Sequence, residues 1–206
     1  MSIPISSLPQ QIYVIRHGEK PADPPPVSPG KPSSMPEPPF GIDADGNQDA
    51  HSLLPRGWQR SGALAVLFAP AAGTLQAGLR TPTALYSPSY GVAHKTQEHR
   101  TYQTIQGLSG RLGLPIQSPL AEGQEPAVAQ AVLAAGAEVA LVCWEHDHIP
   151  ALAQAIPTVD GTSVPAAWPG DRFDVIWTFT LDSSTGRYAF GQVPQQLLDG
   201  DADTVI

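Results

Sequence analysis

"YVIRHGEK" (residues 13–20) is the stretch on which the reading turns. A short apolar run ends abruptly in an arginine, a histidine, a glycine, a glutamate and a lysine. Apolar side chains on successive residues predict a strand buried on both faces, as in a parallel sheet covered by helices. "EVALVCWEHDH" (138–148) repeats the pattern: an apolar strand running into charges and histidines. In open α/β sheets, ligands bind outside the carboxyl ends of the strands. Two strands thus deliver reactive side chains to that edge. The first brings Arg16, His17, Gly18 and Glu19; the second brings Glu145, His146, Asp147 and His148.

The segments around these two strands alternate between helix and strand. "PRGWQRSGALAVLFAP" (55–70) reads as a helix with Pro55 at its first position. Trp58, Gly62, Ala65 and Ala69 form its apolar stripe, widened by Leu64, Leu67 and Phe68. "TALYS" (83–87) is a short strand. Residues 92–113 read as a long polar helix with a stripe of Thr101, Ile105, Leu108 and Leu112, closed by Gly113. Two more helices follow at 125–136 and 149–156. "FDVIWTFTL" and "RYAFGQV", joined by "DSSTG", read as a hairpin. The expected fold is one α/β domain over residues 1–206. It is a three-layer sandwich whose mostly parallel sheet is flanked by helices and closed by a C-terminal antiparallel hairpin. No internal repeat is seen.

Prolines cluster in "KPADPPPVSPGKPSSMPEPPFG" (20–41). Each proline removes a backbone donor and clashes with the preceding turn, so no helix forms there. The segment is expected to be an extended, partly polyproline loop. It follows the polar cluster directly, which suggests a flap or wall beside a site. Asp43, Asp45, Asn47 and Asp49 resemble a calcium loop poorly, because the glycine is misplaced and the closing glutamate is missing. Asx-turn chemistry accounts for them.

The composition narrows the function classes. Hydrophobic residues make up 41% of the 206, enough for a packed core. The net charge of −8 argues against a nucleic-acid surface, which needs clustered Lys and Arg. The single cysteine, Cys143, lies in an apolar run and is expected to be a buried, inert thiol. The first residues lack the basic and apolar regions of a signal peptide, and no run is long enough to span a membrane. A soluble, cytoplasmic protein with no membrane partner is expected.

Two arginines and two histidines can converge on one crevice: Arg16, His17, His146 and Arg100, the last on the helix after "YSPSYG". For a phosphoryl group this set makes sense. A neutral imidazole attacks phosphorus, and guanidinium forks grip the non-bridging oxygens. Gly18 removes a side chain where the backbone is expected to approach the ligand.

"IRHGEK" resembles the R-H-G-E signature of the histidine phosphatase superfamily, the phosphoglycerate-mutase-like proteins. Three further pieces follow in that family's order. "LLPRGWQRSGALAVLF" is similar to its L-x-x-x-G-x-x-Q-A-x-x-L helix. "ALYSPSYG…HRTYQTI" is similar to its strand ending in S-P and its R-A-x-x-T helix, with Arg100 and Thr104. "VALVCWEHDHIPAL" is similar to its strand ending in the second catalytic histidine. The resemblance spans residues 11 to about 156. It implies a phosphatase acting on small phosphorylated substrates through a phosphohistidine, with no metal and no cofactor. It assigns His17 as nucleophile and Arg16, Arg100 and His146 as the phosphate pocket. Gly18, Glu19 and His148 are placed at the substrate, Glu19 by orienting the loop.

The proton donor stays open among Glu122, Glu125 and Asp147. Glu122 lies in the register of the family's mutase branch, with Glu125 just beyond it. Asp147 follows His146 as in the acid-phosphatase branch. The arginine also stands further beyond S-P than the family usually has it, so a longer loop is needed. Three competing readings remain: a phosphomutase, a non-catalytic phosphate-binding module, and a metal hydrolase using "HDH". His51, His94 and His99 are read as surface or packing residues.

Overall fold

A computed structural model describes residues 3–22, 38–90 and 99–206. Most of the proline-rich segment and residues 91–98, with His94 and the expected first turns of the arginine helix, lie outside the described residues. Six strands form one sheet: β1 (Gln11–Arg16), β2 (Ala84–Tyr86), β3 (Ile116–Gln117), β4 (Val139–Trp144), β5 (Val175–Asp182) and β6 (Arg187–Pro194). Their order is β3-β2-β4-β1-β5-β6. β1, β2, β3 and β4 run parallel, and β5 and β6 turn antiparallel at one side. This is the mostly parallel sheet with a closing hairpin that the strand patterns predict.

β1 and β4 are buried along their whole length because both faces are covered. On one face Tyr13, Ile15, Leu141 and Cys143 pack with residues of α1 (Pro55–Phe68) and α2 (Arg100–Leu112). On the other, Ile12, Val14, Val142 and Trp144 pack with residues of α3 (Glu125–Ala134) and α4 (Ile149–Gln154). Side chains alternate across a strand, so one apolar run fills two cores. Gly113 caps α2 in the left-handed conformation at φ 67°, as expected. Cys143 is fully buried, and burial pushes its thiol well up, which fits an inert structural role.

The α1 stripe differs from its sequence pattern. The helix buries Gly57, Arg60, Ser61, Leu64, Ala65 and Phe68, whereas Gly62 is exposed and Trp58 and Ala69 are half-buried. The rotation comes from Arg60, a charged residue that packs inward because acids meet it. Its guanidinium binds Glu19 at 2.8 Å and Asp201 at 2.7 Å, and Gln195 Oε1 accepts a further bond at 2.9 Å. Gly57 is buried for a different reason. A Cβ there would stand 2.6 Å from the Glu19 carbonyl, so the glycine lets α1 touch the loop after β1. No described helix is long and apolar enough to cross a membrane. The Asp43 turn satisfies itself, with Oδ1 accepting from the backbone of Asp45 at 3.0 Å and Asn47 at 2.8 Å.

Candidate active site

β1 and β4 are neighbours in parallel register, with Arg16 opposite Trp144. The residues that follow each strand therefore leave the sheet side by side. His17 is fully buried. Its Nδ1 lies 2.7 Å from the Gly18 carbonyl, which can only accept, so Nδ1 carries the proton and Nε2 is left on the side of Glu145. The His146 ring stands edge-on to it, with centroids 6.2 Å apart.

Arg16 is 1% exposed. Nη1 donates to the carbonyls of Gly170 at 2.7 Å, Pro169 at 3.2 Å and Arg172 at 3.3 Å. Phe173 stacks on the guanidinium, its ring centre 3.9 Å from Cζ. Nε and Nη2 are buried with no hydrogen-bond partner among the described residues. Burial draws this arginine down to about 10, against the opposing pull of Glu145 and other acids, so it stays charged at neutral pH. Two buried, charged donors that no described residue satisfies are costly unless an anion meets them.

Arg100 opens α2 and is mostly buried, with Nη2 donating to the Ala50 carbonyl at 2.8 Å. One turn on, Thr104 Oγ1 accepts from the backbone of Gly18 at 2.8 Å and donates to the Arg100 carbonyl at 2.7 Å. The arginine-to-threonine spacing thus ties the His17 loop to the helix that carries the second arginine. Gly18 has its close neighbour in α1 rather than in the pocket: a Cβ would stand 3.1 Å from Gly57 Cα. Glu19 is committed to Arg60 and Arg56, which anchors the loop away from the pocket.

The three carboxylates named as donors differ in setting. Glu125 Oε1 accepts from Gly123 N at 2.8 Å and Trp144 Nε1 at 3.1 Å, and His148 Nδ1 stands 3.3 Å away. It is a fixed part of the α3 entry. Asp147 has a side chain 82% exposed, with Oδ1 3.4 Å from His146 Nε2. Glu122 is half-buried in the turn before α3. His148 precedes α4 and pairs with Glu125. His99 packs its ring on Tyr90, 4.4 Å between centroids.

Two residues of the site were given no chemical task in the sequence reading, although Glu145 was placed there at the end of its strand. Phe173 reaches Arg16 from the start of the hairpin, a contact made only in three dimensions. Glu145 is the greater surprise. Its Oε2 stands 3.1 Å from His17 Nε2, at ion-pair distance but off the line of a hydrogen bond, and 3.9 Å from His146 Nδ1. Burial pushes this carboxyl up, but His17, His146 and Arg100 outweigh burial and hold it well below the usual carboxylate range. Strand polarity brought Glu145 to this edge as the first residue beyond β4, but not its turn toward His17.

No family model and no curated protein sequence matches the chain. Solved structures do match. The protein histidine phosphatase SixA, solved with tungstate, is 18% identical with a TM-score of 0.50, covering 90% of this chain and 97% of its own. A mycobacterial glucosyl-3-phosphoglycerate phosphatase is 12% identical with a TM-score of 0.50, covering 88% and 97%. By its strand order and these likenesses, the chain has the phosphoglycerate-mutase-like fold.

Proposed function

We propose that this protein hydrolyses phosphomonoesters through a phosphohistidine on His17. The observation that carries the reading is the buried His17 imidazole next in the chain to Arg16, whose Nε and Nη2 are buried charged donors without an acceptor among the described residues. In the first step the Nε2 lone pair forms a bond to phosphorus. The ester oxygen leaves with the bonding electrons and takes a proton from a carboxylic acid. In the second step water attacks the phosphohistidine, the carboxylate takes its proton, and the P–N bond breaks to free phosphate. Arg16, Arg100 and His146 stabilise the charge on the equatorial oxygens. Glu145 must turn aside as the phosphoryl group enters.

Each of Arg16→Ala, Arg100→Ala and His146→Ala is expected to lower kcat/KM by on the order of 10²-fold or more, the scale for one lost transition-state donor. Steady-state kinetics on folded variants checks this, and a loss under threefold in all three would remove the pocket assignment. The pocket's positive charge comes from side chains, so turnover is expected without a metal ion and with strong inhibition by tungstate.

A cleft of about 320 Å³ opens beside His146, lined by Asp147, Pro150, Ala151, Gln154 and Trp168. Its size matches the lower end of small-molecule sites, roughly 300–1,000 Å³. The cleft meets the proposed pocket at His146, and a small phosphorylated metabolite is the substrate class we favour.

Glu122 is our choice of proton donor, because Glu125 is held by three partners and Asp147 lies in solvent. Positioned acids contribute roughly 10²–10⁴-fold when the leaving group needs a proton. Glu122→Gln should therefore slow an alkyl phosphate far more than p-nitrophenyl phosphate, whose leaving group needs little help. Equal slowing of both esters, or of neither, would exclude Glu122, and Asp147→Asn and Glu125→Gln would be compared next.

A further inference from the structure

We propose that His17, Glu145 and His146 form a zinc site, and that zinc held there blocks the pocket. A pocket for an anion needs no carboxylate at its centre, yet Glu145 places one against the nucleophile. The ligand atoms of the three residues all lie within 4.8 Å of one another. Glu145 Oε2 is 3.1 Å from His17 Nε2 and 3.9 Å from His146 Nδ1. A tetrahedral ion with bonds of roughly 2.0–2.2 Å sets its ligands about 3.3–3.6 Å apart. The two edges to Glu145 straddle that range and the edge between the imidazoles is at most 4.8 Å, so closing the site takes small turns of the Glu145 and His146 side chains.

The imidazoles are arranged as metal ligands usually are. His17 Nε2 and His146 Nδ1 are both buried without hydrogen-bond partners among the described residues. The opposite nitrogens are engaged: His17 Nδ1 with the Gly18 carbonyl at 2.7 Å, and His146 Nε2 near Asp147 Oδ1 at 3.4 Å. Metal-bound histidines characteristically donate their other N–H to a carbonyl or carboxylate in this way. Two imidazoles and a carboxylate suit zinc among the common divalent ions, with a fourth position left for water. The guanidiniums of Arg16 and Arg100 oppose a second cation, which limits the affinity and makes the site reversible.

Zinc would occupy the Nε2 lone pair that attacks phosphorus. Binding and phosphoryl transfer are thus mutually exclusive, a consequence that rests on the catalytic reading above, whereas the zinc site itself does not. Calorimetry with zinc and the visible spectrum of added cobalt(II) test the site on the full chain. One equivalent is expected to bind with tetrahedral cobalt bands. Glu145→Gln and His146→Ala should each weaken binding by at least about 100-fold, since even an outer partner costs roughly 10–100-fold. Asp43→Asn, in the remote acidic turn, should bind as wild type. No zinc binding at micromolar concentrations, or unchanged binding by both ligand variants, overturns the site. In the phosphatase assay zinc should inhibit, with activity restored by EDTA, and activation by zinc overturns the blocking role. Zinc binding by a protein with no phosphatase activity upholds the site and overturns the catalytic reading instead.

Discussion

Replacing His17 with alanine is expected to abolish both turnover and covalent labelling by a phosphoryl donor, while the protein stays folded. The imidazole meets its own loop, Glu145 and the rings of His146 and Phe173, none of which belongs to the two hydrophobic cores. The loop is held by other groups: Thr104 on the Gly18 N–H and Arg60 on Glu19. Removing a nucleophile from a working set costs on the order of 10⁴-fold or more. Neither Arg16 nor His146 can take its place, since no other nitrogen lone pair leaves the sheet at the end of β1. The check is acid-labile phosphate incorporation beside a thermal melt. A folded His17→Ala protein that releases phosphate at the wild-type rate would sink the mechanism.

The second large effect is on stability. Arg60→Ala is expected to destabilise the protein by about 3–5 kcal/mol, the range for breaking a buried ion pair from one side. Arg60 is 2% exposed, and it is shared by Glu19 and by Asp201, whose side chain is also buried. Truncation leaves both carboxylates without their main partner. Against a total of roughly 5–15 kcal/mol this is a substantial fraction, and for a chain of this length it lowers Tm by on the order of 10 °C. Urea and thermal unfolding would measure it; a loss below about 1 kcal/mol would mean that the triad contributes little.

The triad also has an acid limb. Burial pushes the Asp201 carboxyl up, but the bonds from Arg60 and from the backbone of Leu197 and Leu198 outweigh it and hold the group below its usual value. A depressed carboxyl stabilises the fold above its unfolded value, about 3.9, and that contribution is lost as pH falls through the folded value. The wild type should therefore lose this increment only in strong acid.

Much of the fold was legible because its central strands are buried on both faces. β1 and β4 are unbroken apolar runs, which few other settings permit. Pro55 and Gly113 marked helix ends through their own backbone chemistry. Arg60 was not legible as a core residue, because its acids lie far away in the chain, at Glu19 and Asp201. β3, two residues long, carries too little pattern to read from periodicity. In the site, Arg16, His17, Arg100 and His146 could be listed from strand ends and spacing. The inward turn of Glu145 and the stacking of Phe173 depend on how the strands and the final loop meet, which spacing alone does not encode.

The position of β1 between β4 and β5 has a kinetic consequence. Its strand neighbours are both distant in the chain, so no N-terminal portion can assemble the surroundings of His17 by itself. His17 and His146 are separated by more than half the chain, and the carbonyls that hold Arg16 come later still. Closing such long loops costs entropy before any contact rewards it, so topologies of this kind fold slowly. Helices can form early around an unfinished centre, but the pocket comes into being only when the last strands dock. The proposed activity then depends on the docking of β5 and β6, and it reports a late step of folding rather than the first.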